Sequence, residues 1–227
     1  MIFEVGNLYH IYNQGNNGQK TFFSNDNYLY FLTKIKNHIL PHAEILAWCL
    51  MPNHFHLMVY VHTVEISVQN TQSDSMTQSH TITGVAKNDS MTPSHSITIP
   101  PKKKTRTFNN SIGSLLRSYT RAVNLQLNRY GSLFKQHTKA ECITKMEGIT
   151  PSFFNTLHGT VINRQLIENE YPQVCFDYIH NNPVKAGLVT KPEEWLYSSC
   201  CDFKGLRNGK LISRQRVEEF GIQFANH

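Results

Sequence analysis

The sequence has no CxxC pair, no apolar run long enough to span a bilayer, and no aspartate or glutamate between Ser90 and Ala140. Each absence excludes something. Five cysteines (Cys49, Cys142, Cys175, Cys200, Cys201) are an odd number, and the adjacent pair Cys200–Cys201 would be strained as a disulfide. Neither a disulfide framework nor a cysteine zinc site is expected, which points to a reducing cytoplasm. With no stretch of about 18 apolar residues, no membrane span is expected. The opening MIFEVGNLYH has no basic segment followed by an apolar one, so no secretory signal is expected either. Apolar residues make up 40% of the 227 and charged residues 17%, which excludes collagenous and fully disordered classes. That length suits one domain, or two small ones. The element order fits a single domain over 1–227.

The acid-free stretch is also where the cations collect. Lys102, Lys103, Lys104, Arg106, Arg117, Arg121, Arg129, Lys135 and Lys139 are nine positive charges, more than the whole chain's net +6, so the remainder is acidic. A concentrated basic region suits a polyanion, because neutralising phosphates releases counterions. A solvated basic face has the same composition, and charge alone does not separate the two.

Residues Leu8 to Asn13 alternate and read as a strand, closed by a Gly15–Gly18 turn. A helix is predicted from an Asp26 cap to about Leu40, with Leu29, Phe31, Leu32, Ile35 and Ile39 at helical spacing and Pro41 as its stop. Strands at Glu44–Leu50 and His54–Val61 form a hairpin across Met51-Pro52-Asn53. Residues 63–101 are rich in Ser, Thr, Gln, Asn and His and repeat DSMTQSHTIT as DSMTPSHSIT after 15 residues, which reads as a flexible low-complexity insertion. From about Asn109 a helix carries Ile112, Leu115, Leu116, Tyr119, Val123 and Leu127 on one stripe. Arg117, Arg121, Asn124 and Asn128 lie opposite, and Gly131 ends it. A strand near Lys139–Ile143 and a helix over Gln173–Asn181, stopped by Pro183, follow. The tail, 195–227, carries one helix near Ser213–Phe220. This order describes an α+β fold, helices on an antiparallel sheet in a ferredoxin-like arrangement.

In the strand HFHLMVYV, alternation puts His54, His56, Met58 and Tyr60 on one face. Two imidazoles two residues apart on a strand aim at one point, as metal ligands do. Hydrogen-bonded structural histidines give the same pattern. Further on, Tyr178 and Asn182 are four apart in FDYIHNNPVKAG and share a helix face. Alone, Tyr178 reads as a core tyrosine and Asn182 as a helix-end residue. Together the four would hold a divalent cation with open positions beside a phenol that reaches a bound phosphate. Tyr119, a competing phenol, has Val123 at the position where a metal-binding partner would fall.

The passages ILAWCLMPNHFHLMVY, SYTRAVNLQLNRYGSLFK, DYIHNNPVKAGLV and PEEWLYSS, in this order, resemble the REP-associated tyrosine transposases of the single-tyrosine HUH superfamily. The likeness leaves out the 63–101 insertion and a spacer from Lys145 to Glu170. It implies an HUH endonuclease-type fold and a metal-dependent nuclease and strand transferase on single-stranded DNA. His54, His56 and Asn182 would bind Mg²⁺ or Mn²⁺, and Tyr178 would be the nucleophile, leaving a 5′-phosphotyrosine and a free 3′-OH. Hairpin-forming palindromic repeats would be the partner, in a monomer or homodimer with no membrane role. Arg117, Arg121, Arg129, Lys135 and Lys139 are the expected DNA contacts. Two other functions stand beside this one: a hairpin-binding protein without turnover, and a phosphohydrolase, which would need two HxT/S-type motifs, whereas only one HxH is present.

Overall fold

The computed structural model describes residues 1–68, 104–145, 153–156, 159–162 and 171–224. The first strand, β1 (Leu8–Gln14), is followed by helix α1 (Asn25–His38), then by β2 (Ala43–Met51) and β3 (His54–Val61). Helix α1 starts one residue before the expected cap. Asn27 folds back so that its Oδ1 accepts from the Phe23 and Ser24 N–H groups at 2.9 and 3.3 Å. Asp26 instead sits in the first turn, where its charge faces the positive helix end. Of the expected apolar stripe, Phe31, Ile35 and Ile39 are buried, whereas Leu29 is half-exposed.

The β2–β3 hairpin turns on Pro52–Asn53, with Met51 opposite His54 and Cys49 opposite His56. A bulge between Ile45 and Ala47 shifts the register, so Leu46 and Ala47 both reach the same face. Beyond β3, strands β4 (Glu65–Val68) and β5 (Lys104–Thr107) pair antiparallel. Residues 65–68 of the expected insertion are therefore strand; both copies of its repeat lie outside the described residues. Helix α2 (Phe108–Gln126) follows, its first turn capped by Thr107 Oγ1, which accepts from the Asn110 N–H at 3.2 Å. It ends at Leu127, short of Gly131, because Asn128 turns left-handed with φ of 48°. Leu127 accordingly leaves the core stripe and is exposed.

Strand β6 (Lys139–Cys142) completes a four-stranded antiparallel sheet in the order β2-β3-β1-β6. With the sequence β1-α1-β2-β3-α2-β6, this is the ferredoxin-like connectivity expected from the element order. A separate hairpin, β7 (Phe153–Thr156) with β8 (Gly159–Ile162), precedes helix α3 (Tyr171–Lys185). Helix α3 does not stop before Pro183. The ring removes only the bond to the Ile179 carbonyl, and the chain closes a turn later, at Gly187 with φ of +67°.

Both sheet faces are covered, which is why β1 and β3 are buried almost throughout. Helices α1 and α2 pack Phe31, Ile35, Ile112, Leu115 and Tyr119 onto Ile11, Phe55, Leu57 and Val59. Helix α3 packs Cys175, Phe176 and Ile179 onto Leu8, Ala47, Cys49 and Met58 on the other face. The tail forms two short helices, α4 (Cys200–Phe203) and α5 (Arg214–Glu219), where the pattern had indicated one; a single turn is too short to show periodicity.

The PEEWLYSS segment lies along the open edge of β2. Leu50 N–H donates to the Tyr197 carbonyl at 2.8 Å, Ser199 N–H to Trp48 O at 2.9 Å, and Trp195 Nε1–H to Leu50 O at 3.0 Å. Arg207 clamps it, binding buried Asp202 at 2.7 and 2.8 Å and the carbonyls of Leu196 and Ser198 at 2.7 Å. Covering the edge satisfies backbone groups that would otherwise pair with another chain. Asp202 is buried but Arg207 is one-third exposed and keeps its carbonyl partners, so Asp202→Ala should cost about 2 kcal/mol, the worth of a charged hydrogen bond. Urea unfolding checks this; a loss comparable to a surface substitution would mean the clamp is dispensable.

Candidate active site

Strand β3 presents His54 and His56 toward α3, and α3 presents Tyr178 and Asn182 one turn apart toward β3. The structure therefore brings these four residues together. The Asn182 amide is buried and wedged between the imidazoles: its Oδ1 lies 3.3 Å from His54 Nε2, and its Nδ2 donates to His56 Nε2 at 3.2 Å. The Tyr178 ring stands edge-on to His56, centroids 5.3 Å apart, and is half-buried.

The proton count at His54 is informative. Its Nδ1 lies 2.6 Å from Asn53 Oδ1 and its Nε2 faces Asn182 Oδ1, so both ring nitrogens meet oxygen acceptors. Burial lowers the His54 pKa and favours the neutral ring, which has one N–H to give. The shorter contact takes that proton, leaving the Nε2 lone pair opposed to the lone pairs of Asn182 Oδ1. A cation between the two atoms would turn this repulsion into coordination. Adjacent ligands of a small octahedral cation sit about 3.0 Å apart, close to the spacings seen here. Two imidazoles and an amide oxygen form a borderline donor set that would leave positions open on a divalent cation. Among the described residues no group of three or more His, Cys, Asp or Glu is disposed to hold a metal, so the amide is needed to complete the set.

Three neighbours escaped the sequence reading. His10 on β1 is buried on this face, its Nε2 2.9 Å from His56 Nδ1. Tyr12, opposite His56 in the β1–β3 register, donates to Glu141 Oε1 at 2.6 Å, and burial together with that carboxylate raises its pKa. Lys185, at the end of α3, places its ammonium 5.3 Å from the Tyr178 ring centroid. The alternation of LYHIYN put His10 and Tyr12 on one face, but only strand pairing decides that this face is the one carrying His56. Burial raises the Tyr178 pKa, and the Asn182 side chain works against the rise. At neutral pH the phenol is protonated, so nucleophilic use requires a stabilising charge nearby.

The expected DNA contacts divide. Arg117 and Arg121 on α2, with Arg129 and Lys135 on the segment after it, line one groove of 730 Å³ that contains no carboxylate. Ile112, Leu116 and Phe134 also line it, and Tyr130, 90% exposed, stands among its cations. Among the described residues none of these four cations is ion-paired; Arg129 donates to Gln19 Oε1 at 2.7 Å and Lys135 to Gln14 Oε1 at 3.1 Å. Lys139 lies apart from the groove on β6, directly across from Tyr12, with its ammonium 5.7 Å from that ring. Tyr119, the competing phenol, is fully buried and donates to the Thr21 carbonyl at 2.8 Å.

No family model matches the sequence, and no curated protein matches it. A solved structure of a REP-associated tyrosine transposase bound to a REP hairpin is similar over 88% of this chain and 79% of that one, at 14% identity and a TM-score of 0.48. At those values the likeness does not bear on activity, and function is argued from the site itself. Among the described residues no helix is long and apolar enough to cross a membrane.

Behind the site, His180 Nε2 bonds Ser199 Oγ at 2.7 Å, tying α3 to the tail, while its Nδ1 has no hydrogen-bond partner among the described residues. Burial lowers its pKa from 6.5 to about 3. The unfolded chain thus binds more protons between those values, so the contribution is complete above pH 6.5 and is lost as the pH falls toward 3. Taking the pH from 7 to 5 should cost about 2 kcal/mol through this ring. Urea midpoints at both pH values should show His180→Phe with a shallower pH dependence than wild type; an equal dependence would mean the buried ring is not the source.

Proposed function

We propose that this protein is a nuclease and strand transferase for single-stranded DNA, with Tyr178 as nucleophile and Mg²⁺ or Mn²⁺ held by His54, His56 and Asn182. The observation that carries this reading is the convergence of His54 Nε2 and His56 Nε2 on the buried Asn182 amide, each within 3.3 Å of it, beside a tyrosine on the same helix face. When bound, the cation supplies charge that polarises the scissile phosphate. Tyr178 Oη attacks phosphorus as the phenolic proton passes to solvent, the bond to the 3′-oxygen breaks, and that oxygen takes a proton from solvent and leaves as a 3′-hydroxyl. The 5′-phosphate is then esterified to the tyrosine. Attack by a 3′-hydroxyl on this ester reverses the step on the same or another strand. The Asn182 side chain favours the phenolate that burial disfavours, and the Lys185 ammonium lies over the Tyr178 ring.

The groove beside α2 is the binding surface in this reading. It lies on the α1–α2 side of the sheet, whereas the histidines face α3. Strand from a hairpin substrate would pass over the β6 edge, where Lys139 stands beside Tyr12. A second reading, a hairpin-binding protein without turnover, is favoured by the burial that keeps Tyr178 protonated.

Incubation with labelled hairpin-bearing single strands and Mg²⁺ or Mn²⁺, run on denaturing gels, separates the two. A covalent adduct that Tyr178→Phe abolishes, with binding retained, supports the transferase; tight binding with no adduct in any metal supports the binder. For the groove, the double substitution Arg117→Ala and Arg121→Ala should weaken binding across sequences. Its log Kd against log salt slope should be shallower by about 1.4, two single-strand phosphate contacts. Unchanged affinity would remove the groove from the DNA path.

A further inference from the structure

His10 touches neither the Asn182 amide nor the space beside it, yet it is bonded to the imidazole that does. The direction of the bonds can be followed atom by atom. Asn182 Nδ2 has only hydrogens to offer, so His56 Nε2 receives at 3.2 Å and carries the lone pair. The neutral His56 ring must then carry its proton on Nδ1. That atom lies 2.9 Å from His10 Nε2, which can only accept. His10 is thereby held with its own proton on Nδ1. Its ring cannot turn freely: Tyr12 stacks against it at 4.8 Å between centroids, Tyr178 meets it edge-on at 6.1 Å, and His56 lies nearly parallel at 5.1 Å.

We propose that His10 is the positioning residue of the site: it locks His56 as the Nδ1–H tautomer and so aims the Nε2 lone pair into the space bounded by His54 and Asn182. The proposal rests on the reading of His56 as a metal ligand. Ligating imidazoles need their remaining N–H engaged by an acceptor, and loss of such an acceptor weakens metal binding by roughly 10- to 100-fold. Here the acceptor is a neutral imidazole rather than a carboxylate, so the site gains orientation without a further negative charge. His10 acts through His56; its Nε2 is already occupied on the far side of that ring from Asn182.

Two measurements on the full chain test this. The first assigns the His56 tautomer in metal-free protein from two-bond ¹H–¹⁵N correlations. The second measures Mn²⁺ affinity by calorimetry, in wild type, His10→Phe and His10→Gln. Wild type should show protonated Nδ1 on His56. His10→Phe, which keeps the ring volume and removes the acceptor, should mix the tautomers and weaken Mn²⁺ binding roughly 10- to 100-fold. His10→Gln, whose amide oxygen can accept, should restore most of both. A wild-type His56 protonated on Nε2 overturns the proposal, as does a folded His10→Phe with unchanged tautomer and affinity. If wild type binds no Mn²⁺, the metal reading of the site fails, and the tautomer assignments in wild type and His10→Gln still decide the role of His10. Those two also decide it if His10→Phe does not fold.

Discussion

One buried amide organises this protein. Asn182 stands between the ring nitrogens of His54 and His56, where helix α3 lies on an otherwise apolar sheet face. A polar group taken out of water without partners costs about 1–3 kcal/mol, and His56 supplies the acceptor for the Asn182 Nδ2–H where α3 docks. The same docking sets Tyr178 one turn away and edge-on to His56. Packing and polar pairing therefore select one arrangement, and it is the one in which donor atoms and a phenol converge. The cluster extends sideways through His10, so that His10, His54, His56 and Asn182 are all held by side-chain contacts at hydrogen-bond distance as well as by shape.

The two faces of the sheet divide the work. Helices α1 and α2 bury a large aromatic core around Phe31, Phe55 and Tyr119, and this side supplies rigidity. The α3 side is a smaller core interrupted by histidines. Its polar cluster is braced from behind by His180 on Ser199 and by the tail clamped through Arg207 and Asp202. The basic groove belongs to the α2 side and uses the outward flank of a helix whose inner flank is core. One helix thus serves the core and the charged surface, with Arg117 and Arg121 free of carboxylate partners among the described residues.

Much of this was legible from local pattern. Strand β3 begins and ends where its alternation does, and the order of strands and helices already described the ferredoxin-like connectivity. The pairing of Tyr178 with Asn182 followed from helical spacing. Other expectations failed for physical reasons. Asn27 folding back moved the start of α1 ahead of Asp26. Pro183 was read as a stop, yet a proline in a last turn loses one bond only. Leu127 looked like core until Asn128 took a left-handed conformation and ended the helix.

Strand alternation and helical periodicity act between near neighbours, so the sequence alone determined which residues share a face: His54 with His56, Tyr178 with Asn182, Arg117 with Arg121. Which faces meet is set by long-range register, and that belonged to the tertiary structure. Only there does β1 lay His10 and Tyr12 beside β3 and α3 place its amide between two imidazoles. Only there does His54 Nε2 come to face Asn182 Oδ1. The reason is that hydrogen-bond direction and burial are properties of assembled neighbours, and no residue carries them before its partners arrive.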